Sequence, residues 1–433
     1  MRKGVLITAE RDEYFCRVLD ITTERDEYFC RVLDITTERD EYFGNCYNLR
    51  RVEGTICGMN STEPSRRDLL KFVRGIPKPS GSPEPIVEDE PQLRGRAQPV
   101  GGNTVRLGIR AMACEFAAIL NPGSPEQIPV VGEALECVPQ IENWLSIYRP
   151  GSEISELNRR AVDEQIRVNP SFFRLLSLSK DLSEKTAGAF DLAAGALNRI
   201  WKGARHRQSI PEEHEIVDAL AASGSRHLEL DESTMGVRFL RPGVSLDPGA
   251  IGKGFALDEA CEWLERDVAG GKRVESFLLH GGHSSLIARG THNGLPGWPV
   301  GIGNPLFTNR RLGTILLCDQ AMATSGSNIQ FYRYEGRRYG HILDPRNGWP
   351  VDGMLSVTVL AASAAVADAV STAFFVLGIE KAVLCCKNLP EVGVILIPFP
   401  EQGRRVRPHL IGISPDQIFW DSEQVDPVQV VEI

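Results

Sequence analysis

The run Ser245-Leu-Asp247-Pro-Gly249-Ala250-Ile-Gly252-Lys253-Gly254 sets three glycines and a lysine within six residues, directly before a helical pattern. Backbone N–H groups at a helix start, backed by one ammonium, make a seat for an anion such as a phosphate. It is not a P-loop, because Gly254 stands where that motif requires Ser or Thr. Taken alone, the cluster reads equally well as a helix-opening turn with a surface lysine. A second stretch, Ala362-Ser-Ala-Ala-Val-Ala-Asp368-Ala-Val-Ser-Thr372, puts a carboxylate and a hydroxyl four residues apart, on one helical face. Small and apolar neighbours predict a buried helix, where a carboxylate needs a cation or several hydrogen-bond donors. A carboxylate and a hydroxyl are hard oxygen donors of the kind Mg²⁺ takes. Bonds from Asp368 to backbone or lysine would satisfy the same carboxylate without a metal.

Four further stretches add polar chemistry. In Arg338-Tyr-Gly-His341-Ile-Leu-Asp344-Pro-Arg-Asn-Gly348 a strand presents a histidine and ends at an Asp-Pro turn. Imidazole titrates nearest neutrality, so His341 suits a general base, although a single histidine is as readily structural. Thr186-Ala-Gly188-Ala189-Phe190-Asp191 combines small residues, an aromatic ring and a carboxylate. Gly281-Gly282-His283 and Thr324-Ser-Gly326 read as tight turns with polar side chains.

Elements that could position these residues follow from periodicity. Helices are predicted over 125–148, 171–186, 212–222, 254–267, 362–377 and 379–387, the first spacing Ile128, Val131, Leu135, Val138, Ile141 and Leu145 three and four apart. Strands are predicted over 105–111, 117–120, 277–279, 285–289, 300–302, 314–318, 338–343 and 356–360, rich in β-branched and aromatic residues. They cluster in the second half in hairpin-like succession, which predicts an α+β fold rather than a doubly wound α/β sheet.

The 433 residues carry 48 Lys plus Arg against 57 Asp plus Glu, a net charge of -9, which argues against a nucleic-acid partner or a polybasic membrane surface. No uninterrupted run of about 18 apolar residues occurs, so no transmembrane segment is expected. The ten cysteines include no C-x-x-C, so neither a zinc ribbon nor a dithiol redox site is indicated; free thiols in a reducing compartment fit better.

Residues 7–48 are a tandem repeat of period 14: ITAERDEYFCRVLD, ITTERDEYFCRVLD, ITTERDEYFGNCYN. Such short copies carry too little apolar surface for a core, so 1–58 is expected to be poorly structured or upstream of the true start, with Met59 an alternative first residue. Ser65-Arg66-Arg67-Asp68-Leu69-Leu70-Lys71 has the form of a twin-arginine signal, but no apolar stretch follows it. Six prolines from Ile76 to Pro99 and the run Glu88-Asp89-Glu90 mark 59–101 as a linker. One catalytic domain is expected over 102–415, with a C-terminal tail over 416–433.

In order along the chain, R-A-M112-A-C-E-F, S-I-Y148-R-P-G-S-E-I-S-E-L-N158-R, T-A-G-A189-F190-D191, L-D247-P-G-A250-I-G-K253-G-F-A-L-D258, L-L-H-G281-G282, A-T324-S-G326, Y-G-H341-I-L-D344-P-R-N-G348 and A-D368-A-V-S-T372-A resemble the motifs of the ApbE-type flavin transferases. Each motif is weak alone; eight in order are specific. The resemblance implies a single T-fold-related catalytic domain that binds FAD and Mg²⁺, splits the pyrophosphate, attaches FMN to a threonine hydroxyl of a partner protein and releases AMP. It implies that Met112, Tyr148, Ala189, Phe190, Asp191, Asp247 and Lys253 line the FAD site, and that Ala250 (through its carbonyl), Asp368 and Thr372 hold the Mg²⁺. Lys253 and His341 would then be catalytic, His341 as the base. By the same resemblance the acceptor is a subunit of a redox complex, and the enzyme works at the periplasmic face of the inner membrane. The chain shows no complete signal peptide or lipobox, which leaves a cytoplasmic location open.

Two positions depart from the family pattern: His283 where Asn or Asp is expected, and Cys114 where a small hydroxyl residue is usual. No S-G-A-T-like acceptor segment occurs, so self-modification is not expected. The same residues leave two alternatives: an FAD pyrophosphatase giving free FMN and AMP, and a non-catalytic FAD-binding protein. Intact Lys253, Asp368 and Thr372 weigh against the second. No Rossmann G-x-G-x-x-G follows a strand, so FAD is expected as a substrate in a specialised cleft.

Overall fold

The computed structural model describes residues 102–123, 125–266, 274–327, 331–400, 403–414 and 417–432, and the backbone alone of 4–8, 17–24, 27–38 and 46–55. It divides into two units, Met1–Glu90 and Pro91–Ile433. In the first, strands β1 (Gly4–Thr8), β2 (Arg17–Glu24), β3 (Glu27–Glu38) and β4 (Cys46–Thr55) pair antiparallel in sequence order. The linker over 59–101 lies outside the described residues.

In the second unit the elements are, in order, β5 (Val105–Ala111), β6 (Cys114–Leu120), α1 (Gln127–Leu145), α2 (Glu153–Arg160), β7 (Ile166–Arg167), α3 (Pro170–Lys185), α4 (Gly195–His206), α5 (Glu213–Ala221), β8 (Leu228–Asp231), β9 (Gly236–Phe239) and α6 (Gly252–Glu265). There follow β10 (Phe277–Gly281), β11 (Ser285–Arg289), β12 (Trp298–Gly303), β13 (Arg311–Leu317), β14 (Gln320–Gly326), β15 (Phe331–Tyr334), β16 (Arg337–Gly340), β17 (Met354–Ala361), α7 (Ala364–Cys386), β18 (Gly393–Pro398), β19 (His409–Ile411), β20 (Ile418–Trp420) and β21 (Gln429–Val430).

A nine-stranded sheet runs β21-β19-β18-β17-β14-β11-β10-β6-β5, antiparallel except where β21 joins β19. Because side chains alternate across a strand, its residues sort into two cores. Phe277, Leu279, Ile287, Val357 and Val359 face a layer that includes α1, α6 and α7, meeting Val131, Leu135, Phe255 and Phe374. Leu278, Ala288, Met322 and Leu360 face the small β12-β13-β20 sheet, meeting Trp298, Val300, Leu312 and Ile315. All eight residues of β17 are buried, as expected of a central strand covered on both faces. This is the expected α+β architecture.

The helix predicted to end at 377 and restart at 379 does so. Gly378 sits at φ 70°, a left-handed conformation that interrupts α7 and that glycine adopts without a Cβ clash. By length and composition alone Ala364–Cys386 could cross a membrane. Here it is a core helix: Ala367, Ala369, Val370, Ala373 and Phe374 are fully buried under the sheet.

Some readings need correction. Thr324-Ser-Gly326 is not a turn but the end of β14, paired with β17. The segment read as a tail carries β20, which pairs with β13, and β21, which extends the main sheet. Helices α2 and α4 were not predicted. Over α2 only Ile154 and Leu157 are buried, too few to mark a period.

Candidate functional site

The N-terminal turn of α6 and the second turn of α7 cross beside the ends of β11 and β14, and the crossing gathers the polar groups that sequence singled out. Asp368 on α7 is only 6% exposed. Its Oδ2 accepts the Gly254 N–H at 2.8 Å and its Oδ1 accepts the Ser285 hydroxyl at 2.5 Å. Lys253 Nζ lies 3.8 Å from Oδ2, so the buried charge also has a cation. The close approach needs Gly254: a Cβ there would lie 2.1 Å from the Ala364 carbonyl oxygen.

Thr372 stands one turn beyond Asp368, inside a hydroxyl cluster. Its Oγ1 is 3.1 Å from Ser325 Oγ of β14 and donates to the Asp368 carbonyl at 3.3 Å; Ser371 Oγ lies 2.9 Å from Ser325 Oγ. The loop carrying Ala250 leads into α6 and is braced from two helices. Asn158 of α2 pairs with the Leu246 backbone at 2.7 and 3.1 Å, and Asn198 of α4 donates to Asp247 Oδ2 at 3.0 Å. Asp247 Oδ1 accepts the Gly249 N–H at 3.0 Å, which shapes the turn before Ala250.

The donor set fits a hard divalent cation. One carboxylate keeps unused lone pairs after two hydrogen bonds, and the rest are neutral hydroxyl and carbonyl oxygens. Among the described residues no three His, Cys, Asp or Glu side chains converge. One carboxylate with neutral oxygens suits Mg²⁺, which keeps water and takes further ligands from substrate phosphates.

The β5–β6 turn borders this crossing. Met112 and Ala113 have φ of 49° and 59°, two successive left-handed residues without a glycine. A two-residue hairpin demands that geometry, at a cost of order 1 kcal/mol per residue. Burial pushes the Cys114 thiol up, and the charges of Lys253 (lowering) and Asp368 (raising) both act on it, which sets Cys114 among them. The thiol therefore stays protonated and neutral beside the site.

The remaining predicted residues lie on other segments of the chain. Tyr148 follows α1 and is 74% exposed, with Lys202 Nζ 4.3 Å above its ring and donating to its hydroxyl at 2.6 Å. His341 is exposed, immediately after β16. The loop behind it is rigid: Asp344 takes a two-pronged contact from Arg346 at 2.8 Å on each oxygen. Arg346 also packs against Gly188, so the His341 stretch and the 186–191 stretch adjoin.

Three expectations change here. Asp191 offers no free carboxylate, because Ser183, Ala193 and Ser225 donate four hydrogen bonds to it at 2.6–2.8 Å. Its charge orders the loop. Phe190, 2% exposed, and Ala189 belong to the core, so Phe190 presents no ring face for stacking.

Sequence reasoning missed Ser285, Ser325 and Ser371, and gave Asp258 no role. Ser371 had a signal, three residues after Asp368; Ser285 and Ser325 reach the site only through sheet pairing.

The family model described as the ApbE family matches residues 109–396. A FAD:protein FMN transferase of Klebsiella pneumoniae is 29% identical over 270 residues, 62% of this chain and 82% of that protein. One of Treponema pallidum is 31% identical over 289 residues, 64% of this chain and 78% of that protein. The crystal structure of the ApbE protein of Thermotoga maritima superposes with a TM-score of 0.61 at 27% identity, covering 68% of this chain and 94% of that one. The family match takes in the α6–α7 crossing, both serine-bearing strand ends and the His341 loop, and the chain belongs to the ApbE family.

Proposed function

We propose that this enzyme transfers the FMN moiety of FAD to a threonine hydroxyl of a partner protein, with Mg²⁺, and releases AMP. The observation that carries the reading is the crossing itself: a lysine, a buried carboxylate and a hydroxyl cluster brought together at a helix N-terminus. The relatives' shared name, FAD:protein FMN transferase, supplies the substrate and the protein acceptor.

A pyrophosphate resists nucleophiles because its oxygens carry negative charge. Lys253 and the amides that open α6 offset that charge where FAD's phosphates would lie. Asp368, Thr372 and the Ala250 carbonyl would hold Mg²⁺, which supplies Lewis-acid polarisation of the phosphoryl oxygens. The acceptor oxygen forms a bond to the FMN phosphorus as the bond to the AMP phosphate breaks. His341 takes the hydroxyl proton, and AMP leaves with the bridging oxygen. A threonine hydroxyl needs such a base within about 3 Å, and an exposed imidazole can meet an acceptor from solution. Tyr148 gives the flavin or adenine ring a surface to pack on.

The test incubates the protein with FAD, Mg²⁺ and a threonine-bearing acceptor protein. The expected result is a fluorescent acceptor band that survives SDS denaturation. Free FMN and AMP without that band would replace transfer by FAD hydrolysis.

A further inference from the structure

Asp258 makes no hydrogen bond to any residue assigned to FAD or Mg²⁺, yet it carries more of the site's architecture than its place on α6 suggests. Its Oδ2 accepts the Ser363 hydroxyl at 2.7 Å and the Ala365 N–H at 2.9 Å, and its Oδ1 accepts the Ala364 N–H at 2.7 Å. The two amides are donors that a helix start leaves without intrahelical partners. Helix α7 already has its own cap, since Ser363 Oγ accepts the Val366 N–H at 3.2 Å. Ser363 already satisfies one of the amides that open the helix, so the second cap is not needed merely to start it.

What the second cap adds is register. Gly254 and Asp258 are four apart on one face of α6; Ala364 and Asp368 are four apart on one face of α7. Gly254 meets Asp368 and Ala364, while Asp258 meets Ala364 and Ala365. Two contacts one turn apart fix both the height and the rotation of α7 against α6. Burial pushes the Asp258 carboxyl up to about 6, against the hydrogen bonds and the Arg289 charge that lower it, so the carboxylate is kept at a desolvation cost. Arg289 itself is paired with Glu265, and burial pushes the Cys261 thiol up, with the charges of Arg289, Glu265 and Asp258 all acting on it.

We propose that Asp258 is a positioning residue: by holding the first turn of α7 it sets the separation of Lys253 from Asp368 and Thr372, and thereby the affinity of the site for Mg²⁺ and the FAD pyrophosphate. The proposal rests on the metal role assigned above to Asp368 and Thr372.

The test compares the wild-type chain with Asp258→Asn by two readouts. Amide exchange, followed by mass spectrometry on the ligand-free protein, should quicken in the first turns of α7 and stay unchanged beyond Gly378. The Mg²⁺ concentration for half-maximal flavin transfer should rise about tenfold, the usual effect of losing a partner behind a metal ligand. The rate at saturating Mg²⁺ should change far less. Asp258→Glu should recover part of both. If Asp258→Asn does not fold, Ser363→Ala, which removes one of the three donors, must shift both readouts the same way by less. A folded Asp258→Asn with wild-type exchange in α7 and a wild-type Mg²⁺ requirement overturns the proposal, as does an unshifted Ser363→Ala. Should the wild-type chain transfer no FMN, the functional reading falls, and exchange together with FAD binding by flavin fluorescence still decides the role of Asp258.

Discussion

The α6–α7 crossing and the rim that carries Tyr148 and His341 are built in opposite ways. At the crossing, Asp368 is buried and each of its oxygens has a defined donor, from backbone on one side and a strand serine on the other. At the rim, Tyr148 and His341 stand in solvent on loop residues, braced from behind by α4 and by the Asp344–Arg346 pair. A phosphate and a small cation are invariant ligands, so their seat gains from being rigid before they arrive. A protein acceptor must approach from solution, so the groups that meet it have to remain open. The difference separates residues whose loss should cost both fold and chemistry from residues whose loss should cost chemistry alone.

The sharpest break of that distinction is Asp368→Ala. It strands the Ser285 hydroxyl and the Gly254 N–H in the interior, a cost of about 1–3 kcal/mol that chemical denaturation can measure. Flavin transfer should fall to background in the same variant; full activity would remove Asp368 from the metal site. His341→Ala should lower the transfer rate by about 10²–10⁴-fold and leave unfolding stability within about 0.5 kcal/mol, since the side chain is exposed. Normal labelling by that variant would withdraw the base assignment.

A third prediction concerns pH. The Asp258 carboxyl is raised from its ordinary 3.8 to about 6 by burial, so between those values the folded chain binds a proton that the unfolded chain does not. Stability contributed by this group therefore rises as pH falls through 6 toward 4, and is lost as pH rises. Measured against Asp258→Asn, the wild-type chain should gain stability on going from neutral pH to about 5. A relative loss over that range would show that burial does not govern this carboxyl. The smallest effect is expected of Tyr148→Ala. Steady-state kinetics should show the KM for FAD rising a few-fold with the transfer rate nearly unchanged, the pattern of lost uniform binding, and stability should not move.

Much of the rigid half was legible because its chemistry depends on residue type and local spacing. Lys253 beside three glycines and Asp368 one turn from Thr372 are helical neighbours that the 3.6-residue period reveals. The break of α7 at Gly378 was legible for the same local reason, since only the backbone of one residue decides it. Ser285 and Ser325 were not legible, because each meets α7 through strand pairings across the sheet, β11 with β14 and β14 with β17. Strand β14 itself, Gln-Ala-Met-Ala-Thr-Ser-Gly, has few β-branched residues and is a strand through its neighbours on both sides. The surroundings of Phe190 and Asp191 were not legible either. Their types suit a ligand site, but the fold uses the ring as core and the carboxylate as the organiser of its own loop.

The most direct test of the account is the mass of the acceptor protein after incubation with FAD and Mg²⁺, with AMP quantified in the same reaction. The acceptor should gain one FMN on a threonine with AMP in equal amount, and neither should occur with Asp368→Ala. FMN and AMP released together with an acceptor of unchanged mass, or an acceptor labelled as fast by Asp368→Ala as by the wild-type chain, would contradict the account.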